Sequence, residues 1–94
     1  MTIVIAPRAL KDISDAHDYI AMDNPRAAER LLERLNEVTQ RLATGELSGP
    51  QVRLRHGGLV YRWSLPPYRL YYRRTRHRLV VLRVYHQARE SMEQ

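Results

Sequence analysis

The chain has 94 residues, 44% of them hydrophobic, no cysteine and a formal net charge of +6; this suits one domain spanning 1–94 around one core and leaves no room for a second. The absence of cysteine excludes a disulfide framework, thiolate metal sites and cysteine catalysis. The longest early apolar run, Ile3-Val4-Ile5-Ala6, is too short for a signal-peptide core or a membrane span, so a cytoplasmic protein with no membrane partner is expected.

Residues 2–6 are β-branched and apolar and predict a short strand, after which Pro7 suits the first turn of a helix. Leu10, Ile13, His17 and Ile20 then recur at spacings of three and four, the pattern of one buried helix face over residues 7–22. Asn24-Pro25 is a second helix start: asparagine accepts a bond from an orphan amide, and proline at the first helical position gives up only an amide hydrogen that would have had no partner. Ala28, Leu31, Leu32, Leu35, Val38 and Leu42 form a broad apolar stripe, and Gly45 is placed for a left-handed C-cap. With so short a connection, the two helices should fold back as an antiparallel hairpin.

Ser48-Gly49-Pro50 ends the helical pattern, and the period changes to two. Val52 and Leu54 alternate with Arg53 and Arg55, His56-Gly57-Gly58 turns the chain, and Tyr61, Trp63 and Leu65 alternate with Arg62 and Ser64. Beyond Pro66-Pro67, residues 68–73 and 79–85 predict two more strands. The order β-α-α-β-β-β-β makes this an α+β chain, with the helical hairpin covering one face of a mainly antiparallel sheet. Alternation sends Val52, Leu54, Tyr68, Leu70, Tyr72, Val80, Leu82 and Val84 toward the helices. It leaves Arg53, Arg55, Arg62, Arg69, Arg73 and Arg83, with Tyr71 and Tyr85, on an uncovered face, and a one-residue bulge would exchange part of these sets.

Charge is divided as sharply as periodicity. Residues 1–47 carry six basic and eight acidic side chains, residues 48–94 ten arginines and two glutamates. Guanidinium groups suit phosphate, carboxylate and flat rings, so the expected partner is acidic: nucleic acid, an anionic protein surface or an acidic peptide. Arginine on a solvated sheet also serves plain solubility. His86, beside Tyr85 and near Arg83 and Arg89, could take part in proton transfer at a phosphate, but its alternation with Val84 favours a capped structural histidine. The histidines show no metal-ligand spacing, and no phosphate-cradling loop, nucleophile elbow or Walker pattern occurs, so neither cofactor nor metal is expected.

Asn24-Pro25-Arg26-Ala27-Ala28, Pro67-Tyr68-Arg69-Leu70-Tyr71-Tyr72-Arg73 and Leu82-Arg83-Val84-Tyr85-His86-Gln87-Ala88-Arg89, in this order, resemble the RelE/ParE superfamily of type II toxin–antitoxin (plasmid stabilisation) toxins. The resemblance implies the two-layer RelE/ParE-like fold and a toxin neutralised by a cognate antitoxin, with promoter DNA bound through the antitoxin complex. It also implies one of two activities. RelE-like members cut ribosome-bound mRNA by metal-independent attack of the ribose 2′-hydroxyl, for which Arg69 and Arg83 would hold the phosphate and Tyr85 or His86 would move protons. ParE-like members bind and inhibit DNA gyrase and are not hydrolytic. On either branch, Arg53, Arg55, Arg62, Tyr71, Arg73 and Arg89 would contact the target or nucleic acid. The Asn-Pro-x-Ala-Ala helix start and the Val-x-His-x-x-Arg ending look closer to ParE, and Arg53 and Arg55 stand on a strand without lysine or glutamate. A nucleic-acid-binding module without toxicity is the third reading.

Overall fold

The computed structural model describes residues 1–89 and 91–93. The elements follow the predicted order: β1 (Thr2–Ile5), α1 (Pro7–Ala21), α2 (Pro25–Thr44), β2 (Gln51–Arg53), β3 (Leu59–Leu65), β4 (Tyr68–Arg74) and β5 (Arg78–His86). The five strands form one sheet in the order β1-β5-β4-β3-β2, with β1 parallel to β5 and the other pairs antiparallel. The helical hairpin packs on one face, as the apolar stripes require.

Local chemistry sets the helix ends. The Asn24 side chain accepts the Ala27 amide at 3.1 Å, and Gly45 closes α2 with φ of 84°, the left-handed conformation that costs glycine nothing. Arg74 donates to the Ala43 carbonyl at 3.3 Å, putting a cation at the negative end of that helix. Between α2 and β2, Gly49 lies so close to β3 that a Cβ there would stand 1.9 Å from the Arg62 carbonyl oxygen, and its amide donates to Tyr72 Oη at 2.9 Å.

The core lies between the hairpin and the sheet. Leu31, Leu35 and Leu42 of α2 meet Leu65, Tyr68, Leu70, Tyr72, Leu79, Val81 and Val84, with Ile3, Ile5, Tyr61 and Trp63 at the margins. A fully buried aliphatic side chain of this kind contributes about 1.5–3 kcal/mol. The buried face of α1 is Ala9, Ile13, Ala16 and Ile20, one position off the predicted set at two places: Ala9 is fully buried where Leu10 is 59% exposed, and Ala16 packs on the core where the spacing predicts His17, the His17 ring lying against Asp18 and Glu29 at 3.2 and 3.3 Å. Two small alanines let α1 lie close to the sheet, which turns Leu10 outward.

Two face assignments are corrected. In β5, Leu79 and Val81 face the helices rather than Val80 and Leu82, while Val84 is in the core as expected. The cause is a bulge: Tyr72 pairs with Val81 and Tyr71 with Arg83, so Leu82 has no opposite residue and the alternation flips there. In β2, Val52 pairs with Val60, on the row that continues through Arg73 and Val80 on the reverse of the sheet, so Arg53 takes the parity of the helix side at the sheet edge. Three residues on an edge strand bury too little to hold the predicted register against its neighbour.

Candidate functional site

The reverse face carries two cross-strand rows of polar side chains. One runs Arg62, Tyr71, Arg83 across β3, β4 and β5; the next runs Ser64, Arg69, Tyr85. Tyr71 and Tyr85 meet edge to face at 5.9 Å, and the Arg83 guanidinium lies 4.3 Å from the Tyr85 ring centre. The expected arginine–tyrosine surface is therefore present, but it is not bare. Tyr71 is fully buried, and both ends of its row are occupied by carboxylates.

At one end stands Asp12. β1 pairs with β5 only as far as Ile5 and Val81, so the outer edge of β5 beyond that point has no neighbouring strand. α1 crosses this edge, and its Asp12 accepts the Val84 amide at 3.0 Å while gripping Arg83 with two parallel bonds, Nε to Oδ2 at 2.8 Å and Nη2 to Oδ1 at 3.0 Å. Both side chains are 16% exposed. One carboxylate thus satisfies an edge amide and fixes the guanidinium expected to hold a phosphate.

At the other end stands Glu93. Residues 91–93 lie across the open face: Glu93 bridges Leu54 in antiparallel fashion, and the Arg55 amide donates to the Met92 carbonyl at 3.2 Å. Arg62 Nη1 reaches both Glu93 oxygens, at 2.7 and 2.8 Å, and Tyr71 Oη donates to Oε2 at 2.7 Å. Burial works to raise the Glu93 pKa, but the bonds from Arg62 and Tyr71 and the charges of Arg62 and Arg69 outweigh it and hold the group below its ordinary 4.5. The Tyr71 phenol is pushed up, by burial first and then by Glu93.

A groove of about 750 Å³ opens between the hairpin and the end of β5. Its floor includes Ile20, Leu31 and Tyr68, with Arg30, Arg34 and Arg89 among its cationic lining. Tyr19, 65% exposed, lines it as well, with Arg89 5.6 Å from its ring centre. Tyr68 has its pKa raised by burial, against the opposing charge of Arg89. Leu10 on α1 and Met22 just past its end add exposed apolar surface. The groove's apolar residues and its four arginines, which outnumber the Asp12 and Asp15 that also line it, suit an amphipathic, acidic segment.

The other predicted residues divide clearly. Arg73 and Arg53 are exposed, and Arg55 is exposed with its Nε on the Glu93 carbonyl at 3.2 Å. Arg69 is half-buried beside Tyr71. His86 sits on the helix side, edge-on to Tyr68 at 5.5 Å, and its Nδ1 accepts the Ala88 amide at 3.2 Å, the capped arrangement its alternation suggests. It therefore lies on the opposite face from Arg69. The sequence reading missed Asp12 and Glu93. Asp12 lay among the spread acidic residues of a helix, with no signal that β1 pairs with β5 in a register that leaves the edge at Val84 to α1, and Glu93 followed the last predicted element.

A family model described as the ParE toxin of the type II toxin-antitoxin system, parDE, matches residues 3–91. Among solved structures, the one titled "Chromosomal ParDE TA system from P. aeruginosa" aligns with a TM-score of 0.71 at 18% identity, over 92% of this chain and 95% of that chain, a likeness of fold. Comparison with curated proteins gives no match.

Proposed function

The chain belongs to the ParE toxin family of type II toxin–antitoxin systems and so has a cognate antitoxin as its partner; from that premise we propose that it arrests growth by binding DNA gyrase and does not cut RNA. The observation that carries this reading is the Asp12–Arg83 pair. Phosphoryl chemistry on the sheet would require Arg83 to meet a scissile phosphate, yet its fork is already on a carboxylate, and His86 faces away from Arg69 with Nδ1 committed to a backbone amide. Arginine itself stays protonated and is a poor general base. Binding another protein makes no such demand, and exposed arginines can steer it toward an acidic surface.

In this reading the toxin works in the cytoplasm; no helix among the described residues is long and apolar enough to cross a membrane. The antitoxin segment fills the groove between the hairpin and β5, with apolar side chains on Ile20, Leu31 and Tyr68 and acidic ones near Arg30, Arg34 and Arg89. Promoter DNA is bound by the pair, through the antitoxin. The test adds the purified toxin to gyrase supercoiling reactions and, in parallel, to ribosomes programmed with mRNA. Loss of supercoiling, relieved by the protein encoded beside the toxin gene, is expected. Cleaved mRNA with unaffected gyrase would overturn the proposal.

A further inference from the structure

The contacts made by Glu93 are those of a bound ligand. Its carboxylate accepts from Arg62 and from Tyr71, a residue with no exposed surface, and the positive charge of Arg69 acts on it as well. Its backbone is engaged too: the bridge to Leu54, the Arg55 amide on Met92 and the Arg55 guanidinium on the Glu93 carbonyl make residues 92–93 an added piece of extended chain. Ser91 orients the residue from below, its Oγ accepting the Glu93 amide at 3.0 Å and lying 3.0 Å from Tyr71 Oη. A surface that recognises both a carboxylate and an extended backbone suits a peptide. A phosphate strand could use the arginines and the Arg55 amide, but it has no polypeptide backbone with which to form the Leu54 bridge.

We propose that Arg62, Arg69 and Tyr71 form a carboxylate-binding site for an extended acidic peptide of a partner protein, and that Glu93 of the same chain occupies this site as a resident competitor. The site lies on the reverse of the sheet from the helical hairpin, and the proposal holds whatever the toxin's cellular target. An intramolecular occupant cuts apparent affinity to the fraction of time the site is empty, so a carboxylate in place nine-tenths of the time weakens an incoming peptide about tenfold. The toxin thus carries a threshold: only a partner with several acidic groups, or one present at high local concentration, displaces residues 91–93.

The test uses the full chain and a fluorescein-labelled peptide of alternating valine and glutamate, read by fluorescence anisotropy at fixed salt. Glu93→Gln and Glu93→Ala are each expected to bind this peptide about tenfold more tightly than the natural chain. Adding Arg62→Gln to either is expected to abolish the gain. Glu33→Gln, the same change of charge on the exposed side of α2, serves as control and is expected to leave affinity unchanged. Circular dichroism shows whether each variant is folded, and the two Glu93 variants provide independent readings. Equal affinity of the Glu93 variants and the natural chain would overturn the proposal, as would a gain that survives Arg62→Gln or that Glu33→Gln reproduces. A gain for a labelled single-stranded RNA without one for the peptide would overturn it in favour of a nucleic-acid surface.

Discussion

Replacing Asp12 by alanine strips three donors of their common acceptor: the Val84 amide and two nitrogens of Arg83, at 2.8 to 3.0 Å. The amide lies at a strand edge, where water can replace the carboxylate, so its loss is small. The guanidinium is different: only 16% of its side chain is exposed, and losing Asp12 takes away its carboxylate while its charge stays beside the Tyr85 ring. Breaking a buried ion pair from one side costs about 3–5 kcal/mol, and the residual exposure of both partners argues for the lower end, about 3 kcal/mol. A domain of this size has about 5–14 kcal/mol of stability in total, and each kcal/mol moves its Tm by about 4–8 °C, so a fall of at least about 12 °C is expected. Urea unfolding followed by Trp63 fluorescence and circular dichroism measures it, with an unchanged slope as the sign that stability alone has altered. The cycle is completed by Arg83→Met and the double variant Asp12→Ala, Arg83→Met. If the cost comes from a stranded charge, the double variant is more stable than Asp12→Ala alone by about 1–2 kcal/mol. A double variant as unstable as the sum of the singles would refute this account. The same pair changes how an Arg83 variant should be interpreted: a sequence view that takes Arg83 as a bare sheet-face residue expects its removal to leave the fold intact, whereas loss of Asp12's partner makes reduced stability the expected result.

Three further outcomes are expected. Gly49→Ala brings a Cβ against the Arg62 carbonyl oxygen, where backbone has to move, and should destabilise by about 3 kcal/mol in the same urea assay. Asn24→Ala removes the α2 N-cap and should cost about 1 kcal/mol, with Asn24→Asp close to neutral. Glu93, held below its ordinary 4.5, stabilises the fold above that pH, and its contribution fades as pH falls through the lowered native value. Unfolding midpoints from pH 6 to pH 3 should therefore drop less steeply for Glu93→Gln than for the natural chain.

Local rules written in the sequence settled much of this protein. Both helix boundaries at Asn24 and Gly45, the change of period after Gly49, the helical hairpin and the five strands follow from capping, glycine and proline chemistry and side-chain alternation, which act over a few residues. The order of those elements was sufficient to suggest the toxin family whose model matches residues 3–91. The surface was decided differently. The bulge at Tyr71 and Tyr72 flipped half of β5, the parallel register of β1 against β5 left Asp12 an edge amide and Arg83 to bind, and residues 91–93 laid Glu93 on Arg62 and Tyr71. The Asp12 and Glu93 contacts join residues 71 and 31 positions apart, and one inserted residue in a strand shifts faces without altering composition. Periodicity reports which side of its own strand a residue takes. Which carboxylate waits on that side depends on where other strands stop, and only the assembled sheet determines it.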